Sequence, residues 1–241
     1  MLDKTSGIVL NQIKYTDSGI VTQIFTKKYG RQSFLIKGMR NKKSGKHAVL
    51  FRPLTILDLV LYYKESRSMQ TLREFSVEYA PSGIYDNVLK SSIAIFIGEV
   101  LTAVLREEGQ QDDLFNYIKH SVEYLDHKNE TFSNFHIAFL VGLCSFLGFE
   151  PGKRIGEENR LFDMVNGTFV PLPPAHGIYS NLEISGILAD FFSSSWDEIN
   201  QISLSGSMRN DVLSELLRYY SVHLPSFRKI NSLDILKEVF A

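Results

Sequence analysis

The sequence predicts an α+β chain in two parts, a five-stranded β-barrel in the first third and an all-α bundle carrying a small irregular hairpin in the remainder. Three observations predict it. Apolar residues alternate with polar ones up to about residue 78, they recur at helical spacing after Pro81-Ser82-Gly83, and the charge changes sign between the same two regions. Residues 1–80 hold 14 Lys and Arg against 6 Asp and Glu, whereas residues 81–241 hold 12 against 21. A net charge of −1 therefore conceals +8 followed by −9, an asymmetry expected when one half of a chain meets a polyanion and the other half has a different task.

The first part reads as five strands over Gly7–Lys14, Ile20–Thr26, Ser33–Lys37, Leu54–Tyr63 and Met69–Val77. Each is a short run with period two, rich in Val, Ile, Thr, Phe and Tyr. Asp17-Ser18-Gly19, Tyr29-Gly30 and Glu65-Ser66 supply turns, and the long polar connection from Gly38 to Val49 is of the kind that carries function on a small barrel. The expected boundary is 1–80 for the barrel and 81–241 for the helical part. The helices expected there are Ile84–Glu107, apolar on nearly every side, then Asp112–Leu125, Thr131–Leu147 closed by Gly148, Glu183–Phe192, Met208–Leu224 and Leu233–Phe240. Region 149–181 breaks the helical pattern. Its Pro and Gly residues leave only Arg160–Val165 and Thr168–Val170 as strands, joined through Asn166-Gly167.

Composition bounds the function. Hydrophobic residues make up 44% of the chain and aromatics 12%, enough for a packed core. Asp3 and Lys4 follow Leu2 at once, which argues against secretion and for the cytoplasm. The most apolar run, Ile93–Leu105, is interrupted by Gly98, Glu99 and Thr102 and is too short to cross a bilayer, so it is expected to be a buried helix. The single cysteine, Cys144, has apolar neighbours and reads as core filler in a reducing compartment.

From Lys27 to Arg52 there are nine basic residues and no acidic one: Lys27, Lys28, Arg31, Lys37, Arg40, Lys42, Lys43, Lys46 and Arg52. Ordinary surfaces intersperse the two signs of charge. Phosphates are the natural partner of such a run, because each one neutralised releases a condensed counterion. Phe25, Tyr29, Phe34 and Phe51 lie close by. Phe25 and Phe34 are expected to point inward, and Tyr29, at a turn, is the candidate for stacking on a base. Five strands, a basic long loop and a stacking residue together describe an oligonucleotide-binding barrel.

At these residues the chain resembles the RecO family of DNA repair and recombination mediators. The resemblance rests on Thr5-Ser6-Gly7-Ile8-Val9-Leu10, Asp17-Ser18-Gly19-Ile20-Val21-Thr22, Phe25-Thr26 with Tyr29-Gly30, Ile36-Lys37-Gly38-Met39-Arg40, Lys42-Lys43-Ser44 and Phe51-Arg52-Pro53-Leu54. It continues in Phe146-Leu147-Gly148-Phe149-Glu150-Pro151 and is most specific over the first 60 residues. The resemblance implies an OB-fold protein that binds single- and double-stranded DNA, anneals complementary strands, and works with RecR to load RecA on DNA coated by single-strand-binding protein. It implies a nucleoid-associated cytoplasmic location, no membrane and no cofactor. The family's basic DNA contacts fall on Lys37, Arg40, Lys42 and Lys43, with Arg31, Lys46 and Arg52 as neighbours. Zinc-bearing members resemble a template in which two CxxC pairs flank a short hairpin, but this chain has no cysteine between Phe149 and Asn181. No metal site is therefore expected. His176 reads as a solitary, solvated histidine, and packing of Leu161, Phe162, Val165 and Phe169 is expected to hold the hairpin instead.

Enzyme readings find little support. Ser44-Gly45-Lys46-His47 is similar to the end of a phosphate loop, but Arg40 stands where the first glycine should be and His47 where Ser or Thr should follow. Neither G-x-S-x-G nor H-E-x-x-H occurs. His120, His127, Glu123 and Asp126 read as surface groups, and Glu99 as a structural one. The alternative to a DNA-binding mediator is an adaptor whose basic loop binds an acidic protein tail, with DNA contact secondary.

Overall fold

A computed structural model of the chain describes residues 2–16, 19–37, 50–105, 109–130, 132–199 and 201–240. The strands are β1 (Leu2–Thr16), β2 (Gly19–Thr26), β3 (Gly30–Lys37), β4 (Ile56–Tyr62) and β5 (Thr71–Tyr79), followed much later by β6 (Leu161–Asp163) and β7 (Thr168–Val170). The helices are α1 (Ser82–Tyr85), α2 (Val88–Val104), α3 (Asp112–His127), α4 (Phe135–Leu147), α5 (Leu182–Ser193), α6 (Trp196–Ile199), α7 (Gly206–His223) and α8 (Ser232–Val239). Two compact units result, Met1–His127 with Ile230–Leu236, and Lys128–Lys229 with Lys237–Ala241.

In the first unit the strands run antiparallel in the order β3-β2-β1-β4-β5. A parallel bridge between Phe34 and Gln70 brings β3 to the start of β5, so the sheet curls into a barrel left open along one seam. β1 is long because it serves two partners. Its Leu2–Ile8 segment pairs with β4 and its Gly7–Thr16 segment with β2, with a register shift between Val9 and Asn11. Val9, Ile24, Phe34, Ile36, Phe51, Leu57, Leu59 and Leu61 fill the interior. Phe25 is buried too, against Phe115 of α3 at 6.0 Å between ring centres.

The helix expected from Ile84 to Glu107 is two helices. Asn87 accepts a hydrogen bond from the Lys90 amide at 3.1 Å and caps a fresh start at Val88, while Glu107 lies outside the described residues. The polar interruptions of the apolar run become joints. A side chain at Gly98 would come within 2.2 Å of the Leu10 carbonyl, so this glycine lets α2 sit on β1. One turn on, Thr102 accepts a hydrogen bond from Asn11 at 3.1 Å. Glu99 accepts from the amide and side chain of both Asn231 and Ser232 at 2.5–3.1 Å, capping the start of α8. Burial would raise its pKa, but those four bonds outweigh it and hold the carboxyl below its ordinary 4.5. Asp126 is likewise structural. Its carboxylate takes the Tyr79 hydroxyl at 2.5 Å and the Ile84 amide at 2.8 Å, and its carbonyl takes the buried Lys90 ammonium at 3.0 Å.

In the second unit α4 ends at Gly148, whose φ of 84° sets the left-handed C-terminal turn. Its start lies at Phe135 because the Asn134 side chain is spent on the Ile199 and Ile202 carbonyls, at 3.1 and 2.8 Å. Cys144 is fully buried and burial pushes its thiol up to about 12. The hairpin departs from expectation in three ways. Its first strand stops at Asp163, because that carboxylate takes the Val165 and Asn166 amides at 2.9 and 3.1 Å and turns the chain early. Val165 is consequently 39% exposed, and Met164 joins Leu161, Phe162 and Phe169 in the core in its place. His176 is not solitary. Its Nε2 lies 3.2 Å from Asp163 Oδ1, and its Nδ1 accepts from the Ile178 amide at 3.0 Å. Asp163 is almost fully buried, yet the Asn166, Val165 and His176 hydrogen bonds overcome burial and lower its pKa. Gly167 has φ 63°, and a side chain there would come within 2.7 Å of the Tyr219 hydroxyl.

Candidate nucleic-acid interface

The turn from β2 to β3 is built around Thr26. Its buried hydroxyl donates to the Gly30 carbonyl at 2.9 Å and accepts the Tyr29 amide at 3.0 Å, while Gly30 takes φ 63°. Gln32 donates to the Tyr29 carbonyl at 2.7 Å, so Tyr29 is held from both sides. The Tyr29 ring stacks on Tyr63, just after β4, with centres 3.9 Å apart and planes 11° from parallel. Burial and a hydrogen bond to Asp3 raise its hydroxyl to about 12. Tyr29 is thus stacked on a protein ring, that of Tyr63.

Arg31 follows at the start of β3, half-buried, with Nη1 donating to Gln23 at 2.9 Å. Lys27 lies 3.9 Å from Asp112, so part of its charge is answered within the unit. Lys37 is the last residue of β3, its backbone opposite Gly19. The Lys37 side chain and all of Arg40, Lys42, Lys43 and Lys46 lie outside the described residues. Arg52 is exposed, and its guanidinium lies over the Tyr85 ring at 5.2 Å, a cation–π contact in a neighbourhood of its own.

Tyr29 and Arg31 come together with residues the sequence did not single out. The β4–β5 turn is fastened by Gln70, which donates to the Lys64 and Arg67 carbonyls at 2.9 and 3.0 Å and accepts from the Lys64 amide at 3.1 Å. The Gln70 amide donates to Ser33 at 2.8 Å across the seam. Arg67 therefore stands beside Arg31 on one recess. Its signal was available, since the loop after the fourth strand is a binding loop of oligonucleotide-binding barrels. The dense run at 27–52 overshadowed it. A second missed feature is Tyr15, 63% exposed near the end of β1, beside an outer stripe in which Ile13 opposes Val21 and Val21 opposes Leu35.

Comparison with known proteins decides the family. Residues 1–80 match the family model described as Recombination protein O N terminal, and residues 86–152 the one described as Recombination protein O C terminal. Over its whole length the chain is similar to proteins named DNA repair protein RecO, 36% identical over 241 residues in Phocaeicola vulgatus and 35% over 242 in Bacteroides fragilis, each alignment covering all of both chains. The chain belongs to the RecO family. The Porphyromonas gingivalis protein of that name is 32% identical over 244 residues, again with full coverage of both. RecO membership agrees with the oligonucleotide-binding topology of the N-terminal sheet and the helical region that follows. Among the described residues no helix is long and apolar enough to cross a membrane, and no group of three or more His, Cys, Asp or Glu could hold a metal ion.

Proposed function

We propose that this RecO-family chain is a non-enzymatic DNA-binding mediator of recombination repair, working without a cofactor at the cytoplasmic nucleoid. Residues 1–80 form the nucleic-acid module and residues 81–241 the platform for protein partners. The observation that carries the reading is an open oligonucleotide-binding barrel whose third strand lies within a basic run free of acidic residues, Lys27 to Arg52. Lys37, Arg40, Lys42 and Lys43 contact phosphates, with Arg31, Lys46 and Arg52 beside them and Tyr29 bracing an aromatic pair. Single and double strands both bind, because phosphate neutralisation is blind to sequence. Annealing follows: a basic surface touching two strands lowers their mutual repulsion while bases pair. With RecR the protein loads RecA on DNA covered by single-strand-binding protein.

The test is single-strand affinity across a salt series for wild type and a Lys37, Arg40, Lys42, Lys43→Glu quadruple variant. Each lost phosphate contact lowers the logarithmic salt slope by about 0.7 on single strands, so a drop of roughly 3 is expected. An unchanged slope sinks the assignment. An acidic peptide that binds tightly to a wild type with no DNA affinity at low salt would replace the mediator with an adaptor.

A further inference from the structure

Arg52 closes the basic run, and the residue that holds it lies outside the run. Its guanidinium sits over the ring of Tyr85, the last residue of α1, at 5.2 Å. Arg52 is exposed, and among the described residues no carboxylate pairs with it. Tyr85 is itself pinned. The Thr55 hydroxyl donates to the Arg52 carbonyl at 2.9 Å, so the Tyr85 hydroxyl is the donor in the 2.5 Å bond between the two side chains, with the Pro53 carbonyl 3.3 Å away. The backbone beneath is strained. Leu54 is buried with φ 69°, and among the described residues no other non-glycine has a positive φ. Such a conformation persists only where its surroundings over-determine it. Here they do: the Leu54 amide donates to the Val9 carbonyl at 2.7 Å, the Val9 amide to the Thr55 carbonyl at 2.9 Å, and the Thr55 amide to the Arg52 carbonyl at 3.2 Å. The turn so fixed sends Phe51 into the barrel core and Arg52 outward onto the tyrosine.

We propose that Tyr85 is a positioning residue for DNA binding, its ring holding the Arg52 guanidinium aimed and unneutralised at the point where the basic run rejoins the barrel. The inference rests on the reading of residues 27–52 as the DNA-contacting run and adds to it a residue from the helical part, which that reading reserves for protein partners. An aromatic face attracts a guanidinium through its quadrupole yet carries no net charge, so Arg52 is steadied with its whole positive charge left for a phosphate. A carboxylate in the same place would steady the side chain and cancel it, as Asp112 answers Lys27 at 3.9 Å. An arginine loose in solvent gives up rotamer freedom when it binds, whereas one already stacked has given up much of it on folding. The bonds from the Tyr85 hydroxyl to Thr55 and Pro53 tie the ring to the same strained turn that carries Arg52. Ring and guanidinium therefore hold their places together.

The experiment measures duplex affinity of the full chain across a salt series for wild type, Arg52→Ala, Tyr85→Leu, the two combined, Tyr85→Phe and Tyr85→trifluorophenylalanine. Arg52→Ala is expected to lower the logarithmic salt slope by about 0.9, the share of one phosphate contact. Tyr85→Leu should weaken binding about two- to fivefold when Arg52 is present and have no effect in the Arg52→Ala background. Tyr85→Phe keeps the ring and loses the hydroxyl, so it should restore most of the affinity lost in Tyr85→Leu even as its melting temperature falls. Trifluorophenylalanine keeps the shape of phenylalanine but drains the negative face of the ring, so it should bind as weakly as Tyr85→Leu; it also carries the test if the leucine variant fails to fold. Three results overturn the proposal: a trifluoro variant that binds as tightly as Tyr85→Phe, a loss from Tyr85→Leu that is equal with and without Arg52, or an unchanged slope in Arg52→Ala. An unchanged slope in the Lys37, Arg40, Lys42, Lys43→Glu quadruple variant would instead remove the DNA-binding reading beneath it.

Discussion

The β4–β5 turn and the β6–β7 hairpin each set a charged residue at a chain reversal, Arg67 within the one and Asp163 at the end of β6 in the other, and they treat that charge in opposite ways. In the hairpin Asp163 is buried and its two oxygens are consumed by Val165, Asn166 and His176. In the turn the fastening is done by Gln70, a neutral amide, and the Arg67 guanidinium is left over. A charge spent on local donors builds shape, whereas a charge held in place by other groups stays available to a partner. On this comparison the hairpin is a structural joint held by hydrogen bonds, and the turn leaves its charge unspent.

The largest expected effect lies on the hairpin. Asp163→Ala strands two amides and should cost roughly 3 kcal/mol in urea-induced unfolding, which corresponds to about 6–12 °C in melting temperature. A loss below about 1 kcal/mol would show that the carboxylate is dispensable and erase the contrast. Gly167→Ala forces a side chain into left-handed backbone against Tyr219 and should cost about 2 kcal/mol by the same assay.

Glu99→Gln should cost about 1–2 kcal/mol at pH 7, because an amide cannot accept from all four donors of Asn231 and Ser232. Its pH dependence has a definite sign. The folded-state pKa is depressed, so the stabilisation is present above 4.5 and fades as pH falls through the folded value. The difference between wild type and Glu99→Gln in urea titrations should therefore shrink below pH 4.5; a gap that widens in acid would refute the capping role. Arg67→Ala should change unfolding free energy by less than about 0.5 kcal/mol, since nothing in the fold depends on its charge. Dialysis against a strong chelator should leave the melting temperature of the wild type unmoved, and a clear drop would place a metal in the hairpin after all.

Much of the barrel was legible because period two survives along each strand. The first five residues of β1 were missed because Leu2, Asp3, Lys4, Thr5 and Ser6 are mostly polar, and only pairing with β4 makes them strand. The start of β3 was hidden by Gly30, which is both a turn residue and the first residue of the strand. Asp126 read as a surface acid, Glu99 as structural but without a partner to name, and Asp163 drew no reading. Their donors are mostly backbone amides, hydroxyls and asparagine side chains, which carry no sequence signature, and for Glu99 they lie some 130 residues away. The recess beside them was invisible for the same reason, since Arg31 on β3 and Arg67 in the β4–β5 turn are brought together by the bridge from Phe34 to Gln70. Charge density is readable along a chain; juxtaposition across a seam is not.

That bridge has a consequence for timing. The Gln70 amide joins Ser33 across the seam, beside the Tyr29–Tyr63 stack, and one such bond contributes on the order of 1 kcal/mol, so this amide is expected to open more readily than those inside the sheet. Each release would widen the recess without disturbing the barrel interior. Amide hydrogen exchange at Gln70 would then act as a clock for opening of the seam.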